Sequence, residues 1–308
     1  MTSPAPLPTS SRPVSPGALA MVSTLLLWSA AFPAIALGLH GFDAVPLAAL
    51  RFAIAAVVLL ALWARGDRRW PGAADLLRFI ACGAIGIALY NALLNHGQRS
   101  VAPGAASFIV NAQPLVAALL GGWWLGERRG GRLWAGTALG LTGIAVIGQA
   151  QPGGLQWGEG TSLVALAAVC SGTSFVLQRP LVARYGALGS ATFTLTAGAL
   201  LLSPWLPAAL SQWPEAPAAS SAAVVFLGLG PAALGFLCWM RALDRFGATR
   251  ASHCLYLMPP LATAMDWAAS GRTPSLAMLL GGATVVAGVA VVHVRVGEST
   301  RPPIDDRP

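Results

Sequence analysis

Long stretches of this chain carry no charged side chain at all. Ala18 to Leu39, Phe79 to Asn95, Ser100 to Gly126, Thr161 to Gln178, Ala187 to Pro214, Ala216 to Met240 and Thr273 to Val292 each run without an Asp, Glu, Lys or Arg. A helix needs about 20 predominantly apolar residues to cross the hydrocarbon of a bilayer. One run of that kind could be a core helix of a soluble domain; a series of them along 308 residues could not. Charged residues make up 10% of the chain and apolar ones 56%, with a mean hydropathy of +0.66. A water-facing surface takes about 25% charged residues, so lipid is the outer solvent this composition fits.

The expected fold class is therefore all-α: a polytopic membrane protein with ten transmembrane helices. The first five are expected over 18–38, 44–64, 76–96, 104–125 and 133–150. The second five are expected over 160–180, 187–209, 220–241, 249–269 and 275–295. Residues 1–17 precede the first span as a tail rich in Pro and Ser with the single charge Arg12, too little apolar surface to fold on its own. The apolar run after Gly17 is longer than the 7–15 residue core of a cleaved signal, so it reads as a retained span. Residues 297–308 form a second tail.

All nineteen basic residues are Arg. They cluster at helix ends and form no basic face, which argues against nucleic acid as a partner. With the N-terminus inside, sixteen fall on the inner side, only Arg99 and Arg272 on the outer side, and Arg51 within a span. Positive charge collects in cytoplasmic loops, so both termini are expected in the cytoplasm and the bilayer is expected to be an inner (plasma) membrane.

The two halves, 18–150 and 151–296, are in register. A shift of 145 residues carries Ala106-Ser107 onto Ala251-Ser252, Pro114 onto Pro259, Gly126 onto Gly271, Gly136 onto Gly281 and Gly143 onto Gly288. Two units of five spans each must lie in opposite orientations, because five is odd. Inverted repeats of this kind mark transporters whose site lies near the midplane between the halves.

The motifs along both halves resemble the EamA family of the drug/metabolite transporter superfamily. Those carrying the resemblance are Trp28-Ser29-Ala30-Ala31-Phe32, Leu50-Arg51-Phe52, Ala105-Ala106-Ser107 with Gln113-Pro114-Leu115, Leu125-Gly126-Glu127, and Gly136 with Gly140 and Gly143. The second half answers with Arg241-Ala242-Leu243, Ala251-Ser252, Pro259-Pro260-Leu261 and Gly281 to Gly288. One motif departs: where the first half has Gly126-Glu127 the second has Gly271-Arg272, and the nearest acid is Asp266. The resemblance implies a secondary transporter that exports or exchanges a small polar metabolite, such as an amino acid, by alternating access. A passive channel, a membrane scaffold and, less readily, an intramembrane enzyme are the other classes open to such a chain.

Polar side chains at membrane depth need partners or water, so they are the candidates for substrate contact. Asn111 and Gln113 lie just before Pro114, and Pro259 and Pro260 stand at the equivalent depth of the second half. Proline removes a backbone hydrogen bond, and broken helices at matching places in two repeats point to a transporter site. The three prolines are therefore candidate gating positions. The resemblance implies that Trp28, Tyr90, Asn91, Trp239, His253 and Tyr256 lie on cavity-lining spans, where aromatic rings with polar tips suit a half-wet hollow. His96, His253 and Asp266 are candidates for proton coupling, since His titrates near neutral pH. Arg51, about two turns in from the outer surface, reads as a structural or gating contact that could also meet an anionic substrate group. Trp63, Trp70, Trp157 and Trp213 at helix ends read as an interfacial belt.

Cys82, Cys170, Cys238 and Cys254 sit singly in apolar runs with no CxxC, so no metal site, disulfide framework or cofactor is expected. No G-x-S-x-G, H-E-x-x-H or phosphate loop occurs, and an enzyme is not expected. The glycine runs Gly136 to Gly140 and Gly281-Gly282 allow close helix approach, within the chain or in a homodimer. Reporter fusions test the topology: a fusion at Gln151-Pro152 should report the outer compartment and one at Arg184 the cytoplasm. Both in one compartment would end the inverted arrangement.

Overall fold

The computed structural model describes residues 16–66, 69–101, 103–124, 130–150, 158–261, 264–265, 273 and 275–293, and every regular element among them is helical. In chain order these are α1 (Pro16–Gly38), α2 (Ala44–Trp63), α3 (Ala73–Gly97), α4 (Pro103–Val110), α5 (Gln113–Trp124) and α6 (Gly131–Gln149). There follow α7 (Glu159–Leu202), α8 (Leu206–Gln212), α9 (Ala218–Phe246), α10 (Ala248–Cys254) and α11 (Leu276–His293). Five segments are long and apolar enough to cross a membrane: α1, α2, α3, the run Glu159–Gln212 that α7 opens, and α9. The protein is a polytopic helical membrane protein.

At 44 residues, α7 is too long for one crossing. Its backbone breaks at Gly186, whose φ of 69° and ψ of 176° belong to no helix and suit only a residue without Cβ. The turn there is tied to the start of α3. Asp75 accepts hydrogen bonds from Arg184 (2.5 Å), from the Tyr185 hydroxyl (2.7 Å) and from Arg78 (3.1 Å).

The elements themselves keep a register. α3, α4 and α6 begin at Ala73, Pro103 and Gly131, and α9, α10 and α11 begin at Ala218, Ala248 and Leu276, each 145 residues later. The irregularities keep it too. α3 widens into a π-helical segment at Ala84–Leu89, and the same shift drops those residues inside the π-helical segment Gly228–Gly235 of α9. A turn at Asn111-Ala112 separates α4 from α5, and a 3₁₀ segment at Leu255–Leu257 follows α10. Pro114 and Pro259 are each the second residue of the helix that restarts. There a missing N–H costs nothing. The prolines therefore start new helical pieces and do not kink continuous ones.

The outer surface is apolar, with Leu19, Val57, Leu77, Leu200 and Leu276 exposed as lipid-facing side chains. Inside, α7 packs against α2, α3, α4, α5 and α9, while α1 packs along α9. Trp63 departs from the belt expected of it: it is buried, edge-on to Trp70 and Phe193. Trp157 lies outside the described residues.

α6 and α11 meet backbone to backbone, so the glycine faces that a homodimer could use meet each other within the chain. A Cβ on Gly143 would lie 2.5 Å from the Gly281 carbonyl oxygen, and one on Gly281 would lie 2.8 Å from that of Gly143. Gly288 is pressed in the same way on Gly136 and Gly140. Gly143→Ala and Gly281→Ala should each lower stability by about 1–3 kcal/mol, the usual cost of overpacking. Gly130→Ala, which meets open space, should change little. Thermal unfolding of the detergent-solubilised protein measures the difference.

Candidate functional site

A cavity of about 80 Å³ lies where the two halves of the chain meet. α1 contributes Trp28, Ala31, Phe32 and Ile35; α2 contributes Arg51 and Phe52; α3 contributes Gly86, Ile87, Tyr90, Asn91 and Leu94. Across from them stand Ser171, Ser174 and Phe175 of α7 and Pro231, Ala232 and Phe236 of α9, with Val110, Gln113 and Met258 closing the ring. Most of this lining is apolar, and a few polar groups converge on it, the usual make-up of a small-molecule site.

The polar groups are held in place by bonds between helices. Trp28 is half-buried and its indole N–H donates to the carbonyl of Pro231 at 3.1 Å, inside the π-helical segment of α9. Gln113, at the first position of α5, accepts a 2.6 Å bond from the Ser171 hydroxyl. Ser174 donates back to the Ser171 carbonyl at 3.0 Å, and Gln178 reaches Ser174 at 3.4 Å. Ser171, Ser174 and Gln178 thus make a polar stripe down one face of α7, at the i, i+3 and i+7 positions that share a side of a helix. On α3, Asn91 donates to the Ile87 carbonyl at 2.7 Å and accepts a bond from the Arg51 guanidinium. Arg51 is 5% exposed and its charge also lies over the Phe52 ring, 4.8 Å from the centroid.

An aromatic group backs one wall. Phe175 stands 4.3 Å from Trp239 and 6.4 Å from Trp28, and Trp28 and Trp239 are 5.4 Å apart, ring centre to ring centre. Trp239 is fully buried behind the wall and does not line the cavity.

The structure thus brings Trp28, Tyr90, Asn91 and Gln113 to the cavity and sets other candidates elsewhere. Asn111 is buried at the α4–α5 break, where its amide donates to the Ser107 carbonyl at 2.6 Å. His253 and Tyr256 lie toward α6. The His253 Nδ1 is 2.7 Å from the Thr249 carbonyl and Nε2 is 2.7 Å from the Thr137 hydroxyl. A carbonyl only accepts, so Nδ1 carries the proton. Tyr256 packs among Ile144, Ile147 and Val285, with the His253 ring 5.4 Å away. His96 is exposed, its Nδ1 2.9 Å from the Ala92 carbonyl. Pro114 and Pro259 are buried and Pro260 is partly so; Asp266 lies outside the described residues. Ser171, Ser174 and Phe175 were not among the sequence candidates. Their signal was the helical spacing of Ser171, Ser174 and Gln178 in a run otherwise apolar enough to face lipid.

The model of the EamA-like transporter family matches residues 15–149 and again residues 158–294. A "probable terminal-alkyne amino-acid exporter" of Streptantibioticus cattleyicolor is 38% identical over 90% of this chain and 93% of its own length. The transporter YdfC of Bacillus subtilis is 30% identical over 89% of the chain and 90% of its length. The aromatic amino acid exporter YddG of Ancylobacter novellus is 29% identical over 87% and 94%. A solved crystal structure that is 27% identical superimposes with a TM-score of 0.71, covering 90% of this chain and 96% of the other.

Asn91 is the one side chain in this structure that accepts a hydrogen bond from the Arg51 guanidinium among the described residues. Asn91→Ala should therefore lower stability by about 1.5–3 kcal/mol, the range for a hydrogen bond to a charged group, whereas His96→Ala, at an exposed ring, should be neutral. Thermal unfolding in detergent compares the two; an unchanged midpoint for Asn91→Ala would mean that Arg51 finds another acceptor.

Proposed function

The chain belongs to the EamA-like transporter family, and on that premise we propose that it moves an amino acid or a closely related compound through the cavity described above. It is a secondary transporter of small metabolites and a multi-pass membrane protein, as the family and the named relatives are transporters. The narrower assignment to amino acids rests on two relatives named as amino-acid exporters. The chain acts as a carrier and not as an enzyme.

Its architecture in this reading is ten spans in two inverted five-helix repeats, residues 18–150 and 151–296, with cytoplasmic tails at 1–17 and 297–308. Three observations support it. The family model matches the two halves separately. Helix starts and π-helical segments recur at a spacing of 145 residues. Sixteen of nineteen arginines fall on the inner side of such a topology. Alternating access then consists of one repeat rocking against the other about the site between them.

The single observation that carries the reading is the cavity itself, because its walls come from both halves and its polar groups converge on one small volume. Trp28, Tyr90, Asn91 and Gln113 are the substrate contacts, with Ser171 and Ser174 added from α7. Pro114, Pro259 and Pro260, beside the two helix breaks, are where the spans bend as access changes sides. Trp239 supports Trp28 and Phe175 from behind, while Asn111, His253 and Tyr256 take no part in substrate contact in this reading.

Purified protein in proteoliposomes loaded with an unlabelled amino acid should take up the labelled compound by counterflow that saturates. Gln113→Ala should slow that exchange by about tenfold or more, the loss that about 1.4 kcal/mol produces, with membrane insertion intact. Flux linear in concentration, or conductance at channel rates, would refute the carrier.

A further inference from the structure

The most unusual group in the membrane interior is Arg51. It lines the cavity at 5% exposure, and among the described residues its Nε hydrogen has no hydrogen-bond partner and none of the ion pairs involves it. Its one hydrogen-bonded side chain, Asn91, is neutral. A guanidinium stays protonated in a protein, and a charge in mid-membrane costs about 2.5–3.5 kcal/mol even on insertion scales. Placing it on a cavity wall without a carboxylate opposite leaves a positive site whose counter-charge is not supplied by the described chain.

We propose that Arg51 is the specificity residue for a substrate carboxylate, so that the compounds carried are apolar amino acids with a free α-carboxyl group. This rests on the carrier reading above and narrows it. A guanidinium presents N–H groups in a planar fork that matches a carboxylate. The Nε–H is buried and unpaired among the described residues, and the hydrogen bond to Asn91 and the Phe52 ring hold the guanidinium plane still. The rest of the wall takes the other end of the substrate: Trp28, Phe32, Phe175, Phe236 and Leu94 offer apolar surface for a hydrocarbon or aromatic side chain. Among the described residues, no Asp or Glu lines the cavity. An amine lacking the carboxyl group would bring a second positive charge toward Arg51 with nothing to offset it, which builds rejection into the site.

The test uses three compounds that differ at one group: phenylalanine, its methyl ester and phenethylamine, as competitors of labelled phenylalanine counterflow into proteoliposomes. Wild-type protein should bind the ester and the amine at least about tenfold more weakly than phenylalanine, the discrimination a site built for one polar group enforces. Arg51→Gln should raise the KM for phenylalanine by a similar factor while leaving the weak competition by phenethylamine where it was or improving it. Arg51→Lys, which keeps the charge and loses the fork, should fall between the two. Thermal unfolding shows whether each variant is folded, and the wild-type competition stands without them. If the ester or the amine competes as well as phenylalanine, the assignment of Arg51 is overturned and the carrier stands. If Arg51→Gln weakens all three compounds alike, Arg51 only supports the wall and the assignment is again overturned. If labelled phenylalanine, leucine and valine all fail to exchange through folded wild-type protein, the amino-acid reading and the role of Arg51 fall together.

Discussion

Water is missing from the hydrocarbon, so every polar group there must find its partner within the protein. That rule governs where this chain keeps its side-chain polarity. Thr24, Asn91, Asn111, Thr137 and His253 each bond to the carbonyl four residues back in their own helix. Such a bond satisfies one side-chain group locally, and Thr24, Asn91, Thr137 and His253 each add a second bond to another helix. A further group reaches only across. Asn95 donates to the Ala44 carbonyl and Gln98 to that of Phe32, pinning the end of α3 to α2 and α1. Ser171 with Gln113, and Trp28 with Pro231, do the same between the halves. Three of the crossing bonds, Ser171 to Gln113, Trp28 to Pro231 and Arg51 to Asn91, join residues that line the cavity, and they give its walls a fixed spacing that apolar contact alone would leave loose.

Much of this could be read from the sequence, because the strongest signals obey simple periodicity. Charge-free runs gave the helical membrane class; the orientation drawn from the arginines rests on their placement in the sequence alone. The 145-residue register, seen first in prolines and glycines, returned as helix starts and π-helical segments. The site was harder. Trp28, Tyr90, Asn91 and Gln113 came to the cavity, but Asn111, only two residues from Gln113, did not. The turn at Asn111-Ala112 separates the two, so a count along one continuous helix misplaces them. Trp239 and Tyr256 are equally amphipathic on paper, yet tertiary packing puts both in fully buried positions. Ser171 and Ser174 were passed over because serine in a membrane helix is common and usually serves its own backbone; only the packing of α7 against α5 gives Ser171 a partner across the interface.

Glycine serves two separate purposes here. At Gly186 and Gly247, with φ of 69° and 79°, the missing Cβ permits a backbone turn that ends one helix and starts the next. In α6 and α11 it permits contact, since backbones approach where any side chain would intrude. Among the described residues, the α6–α11 pair contributes nothing to the cavity lining. The helices that do line it use the same device: a Cβ on Gly172 of α7 would lie 2.6 Å from the Gln113 carbonyl oxygen, and one on Gly83 of α3 would lie 2.6 Å from the Gly198 nitrogen.

The π-helical segment of α3 ends at Leu89, and the next two residues are Tyr90 and Asn91. A π-helical turn holds one residue more than the α-helical turn it replaces. The face of the helix on which both side chains stand is therefore set by a residue count upstream, before any bond they make. Were the segment to anneal into regular α-helix, everything beyond it would rotate by about 100°, the angle one residue subtends. The partner of Arg51 would swing off the cavity without a single side chain being exchanged. A wall of this cavity is, in effect, a dial whose setting is stored in the winding of the backbone.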